Sequence, residues 1–302
     1  MSVIDLSLLP APDVVESLDF EDILAERKAR LVELTAETDR PALEAALALE
    51  SEPITKLLQE NAYRELALRQ RINEAARAVM LAYAGSADLD QIGANYGVPR
   101  LLIDAGDSDA VPPVAPTWEA DSDYRRRILL SLEGYTTAGS AESYVFHALS
   151  ADGAVRDAAA VSPAPGQVTV YVLSREGDGT ASEQTLSAVA AAVNAEHVRP
   201  MTDEVTVLSA AVVTYTIEAD LLVANGPDAT VIRDAATAAA TQYAEESRRL
   251  GLDVSLSGIY RALHQPGVLR VDLTAPAGNI VIADGQTGYC TDIAITAGDG
   301  SE

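Results

Sequence analysis

The apolar residues of this chain recur with two different periods, and the change between them near Gln167 limits the fold more than any other feature. Before it, spacings of three and four dominate. Phe20, Ile23, Leu24, Arg27, Leu31 and Leu34 fall on one helical face, with Ser17 or Asp19 as candidate caps. Pro53 stands where a first-turn proline belongs, and no Gly or Pro follows until Gly85. Ile54, Leu57, Leu58, Leu66, Ile72, Val79, Met80 and Tyr83 punctuate that run. It is long enough for a helix of about 30 residues and about 45 Å. From Gln167, Val168, Val170 and Val172 alternate with Thr169, Tyr171 and Leu173, which is the period of a strand. A helical first part followed by mixed strands and helices predicts an α+β protein.

Beyond Gln167 the pattern runs strand, helix, strand twice over. In the first round Leu186, Val189, Ala190 and Val193 form a helical face, and Val205 and Val207 begin the returning strand. In the second, Val213 to Val223 reads as a strand closed by an Asn225-Gly226-Pro227 turn. Ile232, Ala235, Ala236, Ala239, Ala240 and Tyr243 then repeat at helical spacing, and a short helix from Ser257 to His264 leads into a strand near Val268 to Leu273. This order is that of a split β-α-β, ferredoxin-like sandwich, and predicts one shared sheet with both helical faces on the same side. Two β-rich runs flank Asp284-Gly285 between Ile280 and Ile295, so a C-terminal hairpin is expected. The resulting division is a helical bundle region at 1–104, a Pro- and acid-rich linker at 105–116, and a helical connector at 117–165. An α/β region follows at 166–275 and the hairpin at 276–302.

Charge decides which partners fit. The chain carries 46 acids against 21 bases, a formal charge of −25, which repels phosphate backbones and anionic lipid alike. The clearest basic cluster, Arg125 to Arg127, is balanced locally by Asp121 and Asp123. Leu89 to Val98 has the outline of half a DNA-binding helix-turn-helix but lacks bases at its exposed positions, so packing explains it better. The stretch from Met1 to Asp22 has acids where a signal peptide has bases, and no apolar run reaches the roughly 20 residues of a membrane span. The one cysteine, Cys290, cannot form an intrachain disulfide or a cysteine metal cage. Neither nucleic acid nor membrane is an expected partner.

Signals for chemistry are weak. His147, His197 and His264 are far apart in sequence, and Glu176-Gly177-Asp178-Gly179-Thr180 lacks the alternating ligands of a calcium loop. Gly139-Ser140 opens a helix that Ser140 is placed to cap. The acidic pairs Asp88/Asp90 and Asp121/Asp123 come without aromatic platforms for sugars, since the chain has one Trp, Trp118, and two Phe. No cofactor, metal or catalytic residue is expected. The long helix, which shows no heptad regularity, is instead expected to pack along several neighbours, either in a bundle within this chain or with other proteins. Phe20, Ile23, Leu24, Leu31, Ile54, Leu57 and Leu58 are the candidate partner-interface residues.

At Glu119-Ala120-Asp121-Ser122-Asp123-Tyr124-Arg125-Arg126-Arg127-Ile128 an acidic run enters a Tyr-Arg-x-Arg-Ile helix. Thr137-Ala138-Gly139-Ser140, Tyr144, Val155 with Asp157, and Pro165-Gly166-Gln167-Val168-Thr169-Val170 follow in order. Ile4-Asp5-Leu6, Pro10-Ala11-Pro12 and Leu18-Asp19-Phe20-Glu21 precede it. Taken in this order, the segments resemble the baseplate J-like family of contractile phage tails over nearly the whole chain. The resemblance implies a structural wedge subunit of a phage or headless tailocin tail. It would link the central hub to neighbouring wedge proteins and further copies of itself, and be assembled in the host bacterial cytoplasm. It implies no catalytic residues, and gives Asp123, Tyr124, Arg125, Arg127, Gly139 and Ser140 a structural part. Two rival readings are a soluble enzyme with a ferredoxin-like domain, which needs convergent histidines or carboxylates in a pocket, and a DNA-associated tail or capsid protein, which needs salt-dependent DNA binding.

Overall fold

A computed structural model describes residues 6, 9–10, 12–136, 138–224 and 228–299. Ile4, Asp5, Ala11, Thr137 and the Asn225-Gly226-Pro227 turn lie outside the described residues. The chain divides into two compact units, Met1–Pro99 and Arg100–Glu302.

The first unit is helical. Helix α1, Phe20–Leu34, is capped by Asp19, whose Oδ1 accepts from the amides of Glu21 at 2.7 Å and Asp22 at 3.2 Å. Helix α2, Arg40–Leu47, has proline in its first turn, as does α3, Pro53–Ala78. At 26 residues α3 spans about 39 Å. It is shorter than the Gly- and Pro-free run allowed, because past Ala78 the chain tightens into turns bonded Met80 N to Arg77 O and Tyr83 N to Met80 O. Helix α4, Ser86–Asn95, ends in a Schellman motif: Gly97 at φ +68° lets Val98 N reach Gly93 O and Gly97 N reach Ala94 O. Leu89 and Val98 are buried, so packing accounts for the segment with the helix-turn-helix outline.

The second unit begins with a small hairpin of β1, Leu102–Asp104, and β2, Thr117–Trp118. Residues 105–116 therefore close a loop instead of separating domains, with Asp107 bridging Val114 across it. Helix α5, Asp121–Leu130, a 3-10 turn at Glu133–Tyr135 and helix α6, Ala141–Ala151, follow. The expected helical connector then gives way to a ten-residue strand, β3, Val155–Ala164. It runs antiparallel to β4, Gln167–Ser174, through the Pro165-Gly166 turn, and Gly166 takes φ +76° there. Helix α7, Glu183–Val193, carries the chain over to β5, Glu204–Ser209, parallel to β4 in the register Val168 to Val205 and Val170 to Val207.

The remaining elements are β6, Ala211–Val223, α8, Ala229–Ser247, α9, Leu256–Leu263, β7, Val268–Ala275, and β8, Gln286–Asp299. The α+β class is the one read from the sequence, and from β4 to β7 so is the order of elements. The shared ferredoxin-like sheet is not formed. Strands pair as two separate three-stranded sheets, β3-β4-β5 and β7-β6-β8. Two helices lie between β6 and β7, and these strands come out antiparallel. The expected C-terminal hairpin is also replaced: β8 is one strand running parallel to β6 from Ala211/Gln286 to Val223/Asp299. Ile280, which was to belong to that hairpin, instead bridges Val254.

Each sheet builds its own core. Val170 and Val172 of β4 meet Tyr144, Val189 and Val193 in the central module. Ile217 and Leu221 of β6 meet Ala236, Ala240, Ile259 and Leu263 in the C-terminal module. On α8 the buried face is Ile232, Ala236 and Ala240, while Ala235 is exposed and Ala239 half-buried. The apolar stripe is therefore narrower than the alanine spacing indicates.

Candidate functional site: a buried ion-pair centre and an uncovered helix face

Helix α5 organises the start of the second unit. Its first turn carries Asp121 and Asp123, favourable at a helix N-terminus, and its inner face buries Tyr124, Arg127 and Ile128. Arg127 meets Glu119 as a fork, Nε to Oε1 at 3.0 Å and Nη2 to Oε2 at 2.7 Å, with both side chains below 5% exposure. Nη1 adds a bond to Ser150 Oγ at 3.3 Å, and Leu101 N donates to Glu119 Oε2. Two guanidinium groups stand over the Tyr124 ring, Arg100 at 4.6 Å and Arg127 at 5.6 Å from its centroid. Arg100 also reaches Asp121 Oδ1 and Glu119 O, each at 2.7 Å.

Neighbouring pairs extend this centre to β3 and to the residue that follows β4. Arg126 binds the buried Asp157 at 2.8 Å, Arg175 binds Asp123 at 2.7 Å, and Arg125 is half-buried on the same helix. Gly139 takes φ +74°, and a Cβ there would stand 2.8 Å from Pro200 Cγ and Asp203 Oδ2, so no side chain fits. Ser140 Oγ accepts from Ser143 N and caps α6. Tyr144 donates to Asp203 Oδ2 at 2.8 Å, and burial together with that carboxylate pushes its hydroxyl far above the ordinary tyrosine value. Of the motif residues, Asp123, Tyr124, Arg125 and Arg127 share one helix, and Gly139 and Ser140 shape the entry to the next.

The candidate interface residues of the first unit divide. Ile23 and Leu24 are buried against Ala62, with Phe20, Leu58 and Leu66 packed around them, so they seal α1 onto α3. Arg27 and Arg69 pair with Glu65 along that seam, and Asn73 bonds both the amide and the carbonyl of Glu16. Leu31 and Ile54 are half-buried, whereas Leu57 is 60% exposed. Leu68 at 67%, Ile72 at 61% and Val79 at 76% continue the exposed stripe, from Leu57 on α3 to the residue capping it. Leu68 and Val79 were not among the interface candidates, nor was Ile72. Their spacing from Leu57, at 11, 15 and 22 residues, returns to nearly the same helical azimuth and was the available signal.

Among the described residues no group of His, Cys, Asp and Glu has metal-binding geometry, and no helix is long and apolar enough to cross a membrane. Burial holds the half-buried His147 imidazole below its ordinary value of 6.5, opposed by the Gly134 carbonyl 3.3 Å away and reinforced by His197. A cleft of about 290 Å³ is lined by Asp123, Arg126, Arg156, Asp157, Arg175 and Glu245, among others. Its charged groups are largely paired with one another, which suits cohesion between elements more than the activation of a substrate.

A helical first unit, and a second unit in which an arginine–carboxylate centre precedes two sheet modules with separate cores, make a modular chain. The chain matches the baseplate J-like N-terminal domain over residues 50–107, the baseplate J-like central domain over 136–209 and the baseplate J-like protein C-terminal domain over 215–296. The last two matched segments coincide with the two sheet modules, and their junction with the change of sheet between β5 and β6. Baseplate protein J of Escherichia phage P2 is 52% identical over 302 residues, the whole of both chains. The chain belongs to the baseplate J-like family and is a structural protein of the phage-type tail baseplate.

Proposed function

We propose that the protein is a wedge subunit of a contractile tail, in a phage or a headless tailocin. In this reading it joins the hub to neighbouring wedge proteins and to further copies of itself, and is assembled in the host bacterial cytoplasm. The observation that carries it is the uncovered stripe Leu57, Leu68, Ile72 and Val79 along α3. An amphipathic helix that buries one face on α1 and presents a second to solvent has the form of a bundle with a member missing. The partner of matching chemistry is an apolar helical face on another wedge protein. No catalytic step, cofactor, nucleic acid or membrane enters this function.

Removing α1 would not test the reading, because Ile23 and Leu24 belong to the unit's own core. Leu68→Asp with Ile72→Asp does test it, since both positions are exposed and such changes alter stability by about 0.5 kcal/mol or less. The variant should keep its helical circular dichroism and lose co-purification with the other wedge proteins. Undiminished co-purification would remove the stripe from the interface, and absence of the chain from purified particles, read by mass spectrometry, would end the wedge assignment.

A further inference from the structure

The two sheet modules of the second unit are joined by the chain once, through a single residue. β5 ends at Ser209 and β6 begins at Ala211. The amide of Ala210 donates to Val172 O in the central module at 2.8 Å, and that of Ala211 to Gly285 O in the C-terminal module at 2.9 Å. The two cores share no residue, and among the described residues no strand or helix of one packs broadly on one of the other.

What spans the gap is polar. Arg156 of β3 pairs with Glu245 of α8 at 2.7 Å and also donates to its carbonyl. Asp157, 4% exposed, accepts from Leu250 N at 3.1 Å while holding Arg126 on its other oxygen. Arg248, 6% exposed, donates to Gly177 O at 2.6 Å and stacks 4.9 Å from the Tyr289 ring, with its Nε unbonded. One close steric contact accompanies these: Gly285 lies so near the Tyr171 ring that a Cβ would meet ring carbons at 2.6 Å. The cleft of about 290 Å³ runs alongside, bounded by Arg126, Arg156 and Asp157 from one module and Gln242, Glu245 and Arg249 from the other.

From this the geometry points to an articulated joint: the C-terminal module pivots on Ala210 against the central module, and the contacts of Arg156, Asp157 and Arg248 are the latch that holds the joint closed. Opening it exposes neither apolar core, since each is complete within its own module. It exchanges ionic and backbone bonds for hydrated ones, which is the kind of interface across which domains move. Arg156 and Glu245 are partly open to solvent, 23% and 56% exposed in their side chains, so salt weakens this contact of the latch first, while the buried contacts of Asp157 and Arg248, like the Arg127–Glu119 pair, are screened less. This motion is independent of which partners the wedge reading assigns.

The test places spin labels on Gln184→Cys in α7 and Ala238→Cys in α8 of the full chain carrying Cys290→Ser, and reads their distance distribution by pulsed electron resonance. Between about 10 mM and about 1 M salt the screening length falls from about 30 Å to about 3 Å. The expected result is one narrow distribution at low salt and a second, longer population at high salt. With Arg156→Ala and Glu245→Ala added, the longer population should appear already at low salt, with strand and helix circular dichroism retained. One unchanged narrow distribution across the salt series overturns the joint, and that series uses the unaltered latch, so the conclusion stands even where the latch variant fails to fold.

Discussion

Arg127→Gln isolates the buried ion-pair centre. It removes one partner of a forked pair whose side chains are 3% and 4% exposed and leaves the Glu119 carboxylate buried, with Leu101 N as a remaining donor. Stripping one partner from a buried pair costs about 3–5 kcal/mol. In a unit of 150–250 residues each kcal/mol moves the thermal midpoint by about 2–4 °C. The substitution should therefore lower the midpoint of the second unit by about 6–20 °C in a circular dichroism melt. Two comparisons separate this from a generic loss of charge. Arg71→Gln removes a partner of the exposed Arg71–Glu74 pair, 81% and 49% exposed, and should move the midpoint by no more than about 0.5 kcal/mol allows. Arg127→Met combined with Glu119→Leu replaces both charges by apolar groups and should recover part of the loss, since the unpaired charge is gone. A midpoint for Arg127→Gln equal to that of Arg71→Gln would refute the reasoning. An unchanged midpoint with lowered DNA affinity would give the arginines a nucleic-acid role instead.

On α8, Ala240→Leu should cost about 1–3 kcal/mol by overpacking against β6 and α9, while Ala235→Leu, at an exposed position, should leave the midpoint unchanged; equal midpoints would show the helix face to be misplaced. His147 has a folded-state pKa below its ordinary 6.5 because burial disfavours its charged form. The unfolded chain then binds the proton more tightly, so the associated stability is complete above about pH 6.5 and declines as pH falls through that value toward the depressed one. Melts of His147→Gln should lack this part of the decline between about pH 7 and pH 5; identical pH slopes in both proteins would dismiss it.

Much of the fold is legible because local chemistry and final structure agree. Asp19 before an apolar-periodic run, Pro53 at a first helical turn, and Val168-Thr169-Val170 alternation each mark an element that forms where they stand. The β3 strand was hidden by composition: Ala158, Ala159 and Ala160 blur its alternation, and Pro163 argues against a strand, although at this edge position no ladder bond is lost. Division into two sheets was not legible for a different reason. Order along the chain says which elements exist, but pairing depends on contacts over long separations, and the residues of β8 read equally well as a hairpin until β6 lies beside them. The ion-pair centre was half visible. The arginines and acids of α5 stand together in the sequence, whereas Asp157, Arg175 and the stacked Arg100 join them only through folding. On α1 the buried Ile23 and Leu24 were named as an interface because an apolar face looks alike whether α3 or another chain covers it.

The β6–β8 ladder also sets a timetable. Its partners, such as Ala211 and Gln286, are 75 residues apart in the sequence. At an elongation rate of about 5–20 residues per second, a ribosome makes β6 about 4–15 s before the strand that will pair along its full length. The central module needs no such wait, since β3 and β4 are joined by a tight turn and β5 follows after one helix. During the interval β6 is a 13-residue strand with an open edge, rich in Val, Tyr, Ile and Leu, a natural template for pairing with another nascent chain. Glu218 and Asp220, at its solvent-facing positions, put negative charge on that edge while it is unattended. Replacing Glu218 and Asp220 by Ser should therefore raise aggregation during synthesis while leaving the finished fold's melting midpoint nearly unchanged, and equal soluble yields would deny the acids this part.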